Sequence, residues 1–204
     1  MKTIARPQEP RLHESVVPVT PAAASVDGTH PAGTAFRYLA AALRIALGWT
    51  FLWAFLDKAF ALGFSTGRDP KTGVVKVFGP DAWLHGGSPT LGFLKFGTTG
   101  PLAGFYQGFA GAAWADWLFM IGLAGIGLGL TFGIAMRLST VSAVVMLVLM
   151  WSATLLPANN PFLDDHLIYA TAALALLAAG AGHTLGLGKA WDRWTVVHNH
   201  PVLK

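Results

Sequence analysis

The chain has 204 residues, of which 53% are hydrophobic and only 12% are charged. A soluble domain carries about 25% charged residues, so this chain has too little polar surface to face water along its whole length. Its formal net charge is +4 and it contains no cysteine, which excludes disulfides, thiol redox chemistry and iron–sulfur ligation by its own side chains.

Residues 1–35 hold Lys2, Arg6 and Arg11 without an apolar run behind them, so they do not read as a signal peptide. Their proline- and alanine-rich composition predicts a disordered tail. A membrane-spanning helix needs about 20 apolar residues. Four windows qualify: 36–62, interrupted by Arg44; 117–136; 138–156, which stops at Pro157; and 165–187. The second and third are separated by Arg137 alone, which forces a hairpin. On the second, Gly125, Gly129 and Gly133 recur every four residues, the small-residue spacing that lets helices approach closely in lipid.

The segment 63–116 is rich in aromatic residues and in turn residues such as Gly86-Gly87-Ser88-Pro89. Its apolar pieces are too short to span and predict two short amphipathic helices lying across the mouth of the bundle. The predicted fold is therefore all-α, an integral membrane four-helix transmembrane bundle with a long outer loop. The domain is placed at 36–190, with 191–204 as a short tail. Basic residues outnumber acidic ones on the side that holds both termini and Arg137. The positive-inside rule then makes both termini cytoplasmic, in the plasma membrane of a prokaryote.

Arg44 lies about 12 Å inside the first span. A charge at that depth is costly and faces the interior as a rule. No Asp or Glu inside the other spans can pair with it. It must snorkel to the headgroups, bond carbonyls and hydroxyls such as those of Thr131 or Ser142, or hold a ligand. Arg44, Gly48, Phe51, Phe55 and Lys58 share one helical face, with Trp49 and Trp53 beside it. Arg44, Trp49, Phe51 and Trp53 are thus candidates to hold a quinone ring, against the plainer reading of helix packing. At the outer mouth, Asp57, Lys58, Asn159, Asn160, Asp116, Asp164, Asp165 and His166 converge by topology. Lys58, Asp164, Asp165 and His166 are the candidate catalytic set, with His166 as proton carrier; ordinary helix capping is the competing account. No haem, flavin, iron–sulfur or metal site is expected, since the histidines do not pair at one depth and no nucleotide-binding loop is present.

The stretch from Arg44 to Lys58, with its Leu47-Gly48 pair, resembles the first helix of the DoxX/DoxD membrane proteins. Asn160–Tyr169 is similar to the opening of that family's fourth helix and Gly180–Leu187 to its end. Gly86–Phe93 and Trp114–Leu118 resemble the long-loop DoxD branch. The resemblance covers residues 36–195. It implies a four-helix bundle and, more loosely, the large subunit of thiosulfate:quinone oxidoreductase, which joins two thiosulfates into tetrathionate and reduces membrane quinone in a respiratory chain. The expected partners are the bilayer, a small anionic substrate and a second membrane or peripheral subunit, with no nucleic acid. The alternative is a non-enzymatic accessory or scaffold subunit of a respiratory or redox-stress complex. A transporter is disfavoured, because no inverted repeat or broken central helix is visible.

Overall fold

The computed structural model describes residues 31–157, 160 and 162–203. The tail expected at 1–35 lies outside the described residues up to residue 30, and from there the chain is already helical. Among the described residues the secondary structure is helical, with two isolated β-bridges and no strand.

Three helices are long and apolar enough to cross a membrane: α1 (Pro31–Phe60), α3 (Ala113–Phe132) and α4 (Met136–Ala153). A five-residue helix, α2 (Ala103–Gln107), lies in the loop before α3. The fourth predicted span is shorter than expected. Helix α5 (Asp165–Ala178) has 14 residues, which is about 21 Å at 1.5 Å per residue. The hydrocarbon core of a bilayer is about 30 Å thick. The helix stops because Gly180 takes a left-handed conformation (φ 61°), and the chain turns back through a short 3-10 turn at Ala181–His183. The composition of 165–187 hid this break, because the apolar run continues through it.

Helix α1 packs on α3, α3 on α4, α4 on α5 and α5 on α1. The shared core is formed by Leu47 and Phe51 of α1, Met120, Leu123, Ile126 and Leu130 of α3, Ala143 and Leu147 of α4, and Ala170, Ala173 and Leu176 of α5. Leu43, Trp49, Ile121, Val141, Val145, Ile168 and Leu174 point outward and are exposed. In water so many outward apolar side chains would be a liability; facing lipid tails they are ordinary.

The close contact between α1 and α3 is not made by the predicted glycine stripe. A Cβ on Gly48 would lie 2.5 Å from the Thr131 amide nitrogen, and one on Gly127 would lie 2.7 Å from that of Leu52. Those two glycines let the antiparallel backbones meet. Gly125 faces open space, and Gly133 (φ 69°) is the left-handed cap that ends α3. The hairpin to α4 is made by Gly133, Ile134 and Ala135, and Arg137 sits in the first turn of α4 rather than in the turn itself.

The loop between α1 and α3 holds three short helical pieces instead of two amphipathic helices: a 3-10 turn at Trp83–His85, a π-helical turn at Phe93–Gly97, and α2. The last two enclose a small second core with Leu94, Tyr106, Ala115 and Ala153, so this part of the loop is packed onto the ends of α3 and α4, while Trp83 of the first packs against the main core. The Tyr106 hydroxyl bonds Ser152 Oγ, and the Thr99 amide donates to the Ala153 carbonyl at 2.9 Å. The segment after α5 is also packed rather than a loose tail. Val197 is buried in the short helix α7 (Thr195–Asn199), which follows α6 (Gly188–Trp191). Trp191 Nε1 donates to the Leu203 carbonyl at 2.6 Å, and the turn at Pro201–Leu203 packs against α4.

Candidate functional site

Arg44 is fully buried and does not snorkel. Its Nη1 donates to the carbonyls of Leu130 (2.5 Å) and Thr131 (3.1 Å), and its Nη2 to those of Thr184 (3.3 Å) and Leu185 (2.9 Å). The first two carbonyls belong to the last turn of α3, where no intrahelical donor remains. A cation there also meets the negative end of the helix dipole. The other two become reachable because α5 ends early and residues 184–187 fold in under the bundle. The Leu187 amide completes the seam with a 2.8 Å bond to the Phe132 carbonyl.

This seat is built from glycines. A Cβ on Gly133 would stand 2.6 Å from Nη1, and one on Gly186 would stand 3.0 Å from Nη2. Leu185, an acceptor, is itself held at φ 48°, a conformation that costs a non-glycine residue free energy and persists only where its surroundings enforce it. Of the outcomes foreseen for Arg44, the carbonyl one is observed. Of the predicted hydroxyl partners, Thr131 takes part through its backbone, and its Oγ1 makes no hydrogen bond among the described residues.

The four candidate quinone-holding residues do not share a cavity. Arg44 is enclosed by backbone, Phe51 is in the core, and Trp49 is half exposed on the outside. Trp49 stacks at 5.8 Å on Trp53, which meets Phe64 edge-on at 5.0 Å, so these rings form an external ladder rather than the walls of a cleft with Arg44.

At the opposite end, the predicted polar cluster resolves into separate local locks. Asp57 is buried and accepts from the amides of Phe64 (3.0 Å) and Ser65 (2.8 Å) and from Ser65 Oγ (2.7 Å). Lys58 Nζ donates to the same Ser65 hydroxyl at 3.0 Å. Asp164 caps α5 through the amides of His166 and Leu167, and its other oxygen lies 2.7 Å from His166 Nδ1. Asp165 is exposed in the first turn of α5. Among the described residues no ion pair joins Lys58 to Asp164 or Asp165. Asn160 closes its own turn onto the amides of Phe162 and Leu163, while Asn159 lies outside the described residues. Capping therefore accounts for the backbone contacts of Asp164, and its second oxygen pairs with the His166 ring.

Asp116 does more than open α3. It is buried, and its Oδ1 accepts from Ser88 Oγ (2.9 Å), the Thr90 amide (3.0 Å) and Thr90 Oγ1 (2.6 Å). The signal available in sequence was an acid at a helix start after a Ser-Pro-Thr turn, and it did not specify the partner. No group of three or more His, Asp or Glu residues is placed to hold a metal among the described residues.

No family model, curated protein or solved structure matches this chain. The DoxX/DoxD resemblance accordingly stands on the sequence motifs alone.

Proposed function

We propose that this chain is a multi-pass membrane subunit of the DoxX/DoxD type. In this reading α1, α3, α4 and α5 form a four-helix transmembrane bundle with both termini cytoplasmic, and the subunit serves as a non-enzymatic accessory or scaffold in a respiratory or redox-stress complex. The observation that carries it is the use of Arg44. The one deep cation, which a catalytic reading would assign to quinone, spends both terminal nitrogens on four backbone carbonyls. Asp57, Lys58, Asp116, Asn160 and Asp164 are likewise engaged with adjoining loop or turn segments. The test is gentle solubilisation of native membranes followed by size separation. Co-migration with larger partners supports the reading, and a chain that always purifies alone counts against it.

A second reading keeps the oxidoreductase function. It is favoured by the outward ladder of Trp49, Trp53 and Phe64, an aromatic surface open to a lipid-borne ring just below Lys58. In that reading an S–S bond forms between two thiosulfates, and the two electrons released reduce one quinone, which takes up two protons. Thiosulfate-dependent reduction of a quinone analogue by the purified chain with its partners would establish it. Absence of turnover by that folded assembly would remove it.

A further inference from the structure

Two cavities open side by side at the end of the molecule where α1 begins. The first, of about 280 Å³, is walled by Arg37 and Ala40 of α1, by residues 179–181, and by His183 and Thr184. The second, of about 220 Å³, shares Gly180, Ala181 and His183 and is also lined by Arg137 and Asp192. Neither was foreseen: the candidate catalytic residues lie at the other end, and Arg44 was the candidate on this side.

Arg37 stands seven residues before Arg44, which is two helical turns, so both project from one face of α1 about 10 Å apart. That face is the inward one: Ala40, Ala41, Arg44 and Leu47 are all buried along it. Arg37 continues the stripe past its buried end. Its guanidinium is therefore directed at the mouth between α1 and the 179–184 turn rather than sideways into lipid. No carboxylate lines the first cavity. Asp192, which lines the second, is bound at Oδ2 by His183 Nε2 at 2.8 Å. His183 Nδ1 lies 4.0 Å from where a Cβ on Gly180 would sit, on the wall the two cavities share.

An exposed guanidinium at the cavity wall, a hydroxyl-bearing Thr184 and a rim of alanine and glycine suit a small tetrahedral oxyanion, which Arg grips through paired N–H groups. The volume lies just under the roughly 300–1,000 Å³ that houses drug-sized ligands, so a headgroup fits and a large ring system does not. We propose that this cavity binds a phosphate group, carried either on an anionic lipid headgroup or on free inorganic phosphate. The lipid source rests on the membrane reading above, with this end in the leaflet where basic side chains meet anionic headgroups.

The full chain, purified in neutral detergent, is titrated with phosphatidylglycerol against phosphatidylcholine by native mass spectrometry, and with inorganic phosphate by calorimetry. Arg37→Gln is expected to weaken binding about tenfold, Arg37→Lys to restore part of it, and Lys189→Gln, which removes the same charge from an exposed position nearby, to leave it unchanged. Arg37-dependent retention of phosphatidylglycerol assigns a lipid, and Arg37-dependent binding of inorganic phosphate alone assigns a soluble ion. No binding of either probe, or equal weakening by Arg37→Gln and Lys189→Gln, overturns the site. Release of the wild-type chain by carbonate washing of membranes would instead overturn the membrane reading, and the lipid source with it.

Discussion

Arg44 and Leu130 stand 86 positions apart in sequence, and Arg44 Nη1 donates to the Leu130 carbonyl at 2.5 Å. That bond, with its three companions, joins the first helix to the end of α3 and to the turn after α5. A charge that sequence reasoning flags as functional acts here as a clasp for three backbone segments.

Arg44→Ala removes the clasp and leaves buried carbonyls without donors. Each such group costs about 1–3 kcal/mol. We expect a loss of at least about 2 kcal/mol, seen as a fall of roughly 5–10 °C in the thermal midpoint of the detergent-solubilised chain. Arg44→Lys, with one compact ammonium instead of a fork, falls between the two. An unchanged midpoint for Arg44→Ala would contradict the structural role.

Two glycines separate packing from propensity by sign. Gly48→Ala forces a methyl against the Thr131 backbone and should cost about 1–3 kcal/mol. Gly125→Ala meets nothing within 4 Å and should stabilise by about 0.5–1 kcal/mol, since alanine is the better helix former. Thermal melts of the two variants, moving in opposite directions, check both.

Asp116→Ala frees Ser88 and Thr90 from the start of α3. We expect a loss of about 1–3 kcal/mol and faster proteolysis within residues 86–91, with cleavage elsewhere unchanged. Limited digestion followed by mass spectrometry reads this directly.

Asp69 provides a local pH response in the loop. Hydrogen bonds from the Thr72 and Lys71 amides hold its carboxyl below the ordinary value of 3.8. A depressed folded value means that the turn is stabilised above the unfolded value and loses that support as pH falls through the folded one. Amide exchange at Lys71 and Thr72 should therefore accelerate below about pH 3.8 in the wild type and lose this dependence in Asp69→Asn.

Much of the helical layout was legible. The apolar windows place α1, α3 and α4 within a few residues of where they lie, because length and hydropathy alone decide a spanning helix. Three features were not. The early end of α5 depends on the left-handed backbone at Gly180, and the flanking alanines and leucines conceal it. The α1–α3 contact depends on which glycines face each other, so Gly48 and Gly127 matter there, while of the regularly spaced glycines Gly129 faces Ser139 of α4 and Gly125 meets nothing within 4 Å. The outer polar residues were expected to converge because topology brings them to one end. A shared end does not set side-chain distances: Asp57 and Asp164 found donors a few residues on in their own segments, and Asp116 found Ser88 and Thr90, 26 to 28 positions back in the long loop. Arg44 was legible as a deep cation with three open outcomes, headgroups, carbonyls and hydroxyls, or a ligand, and the choice among them lay in segments whose approach only the fold determines.

The most direct test of the central account, a chain crossing the membrane four times with α5 as the last crossing, uses the absence of native cysteine. Thr72→Cys and Lys189→Cys are made singly and labelled in sealed vesicles with a membrane-impermeant maleimide. The account predicts that the two positions label from opposite sides of the membrane, with Lys189→Cys reached from the cytoplasmic face. Labelling of both from the same side would show that α5 does not cross and would contradict it.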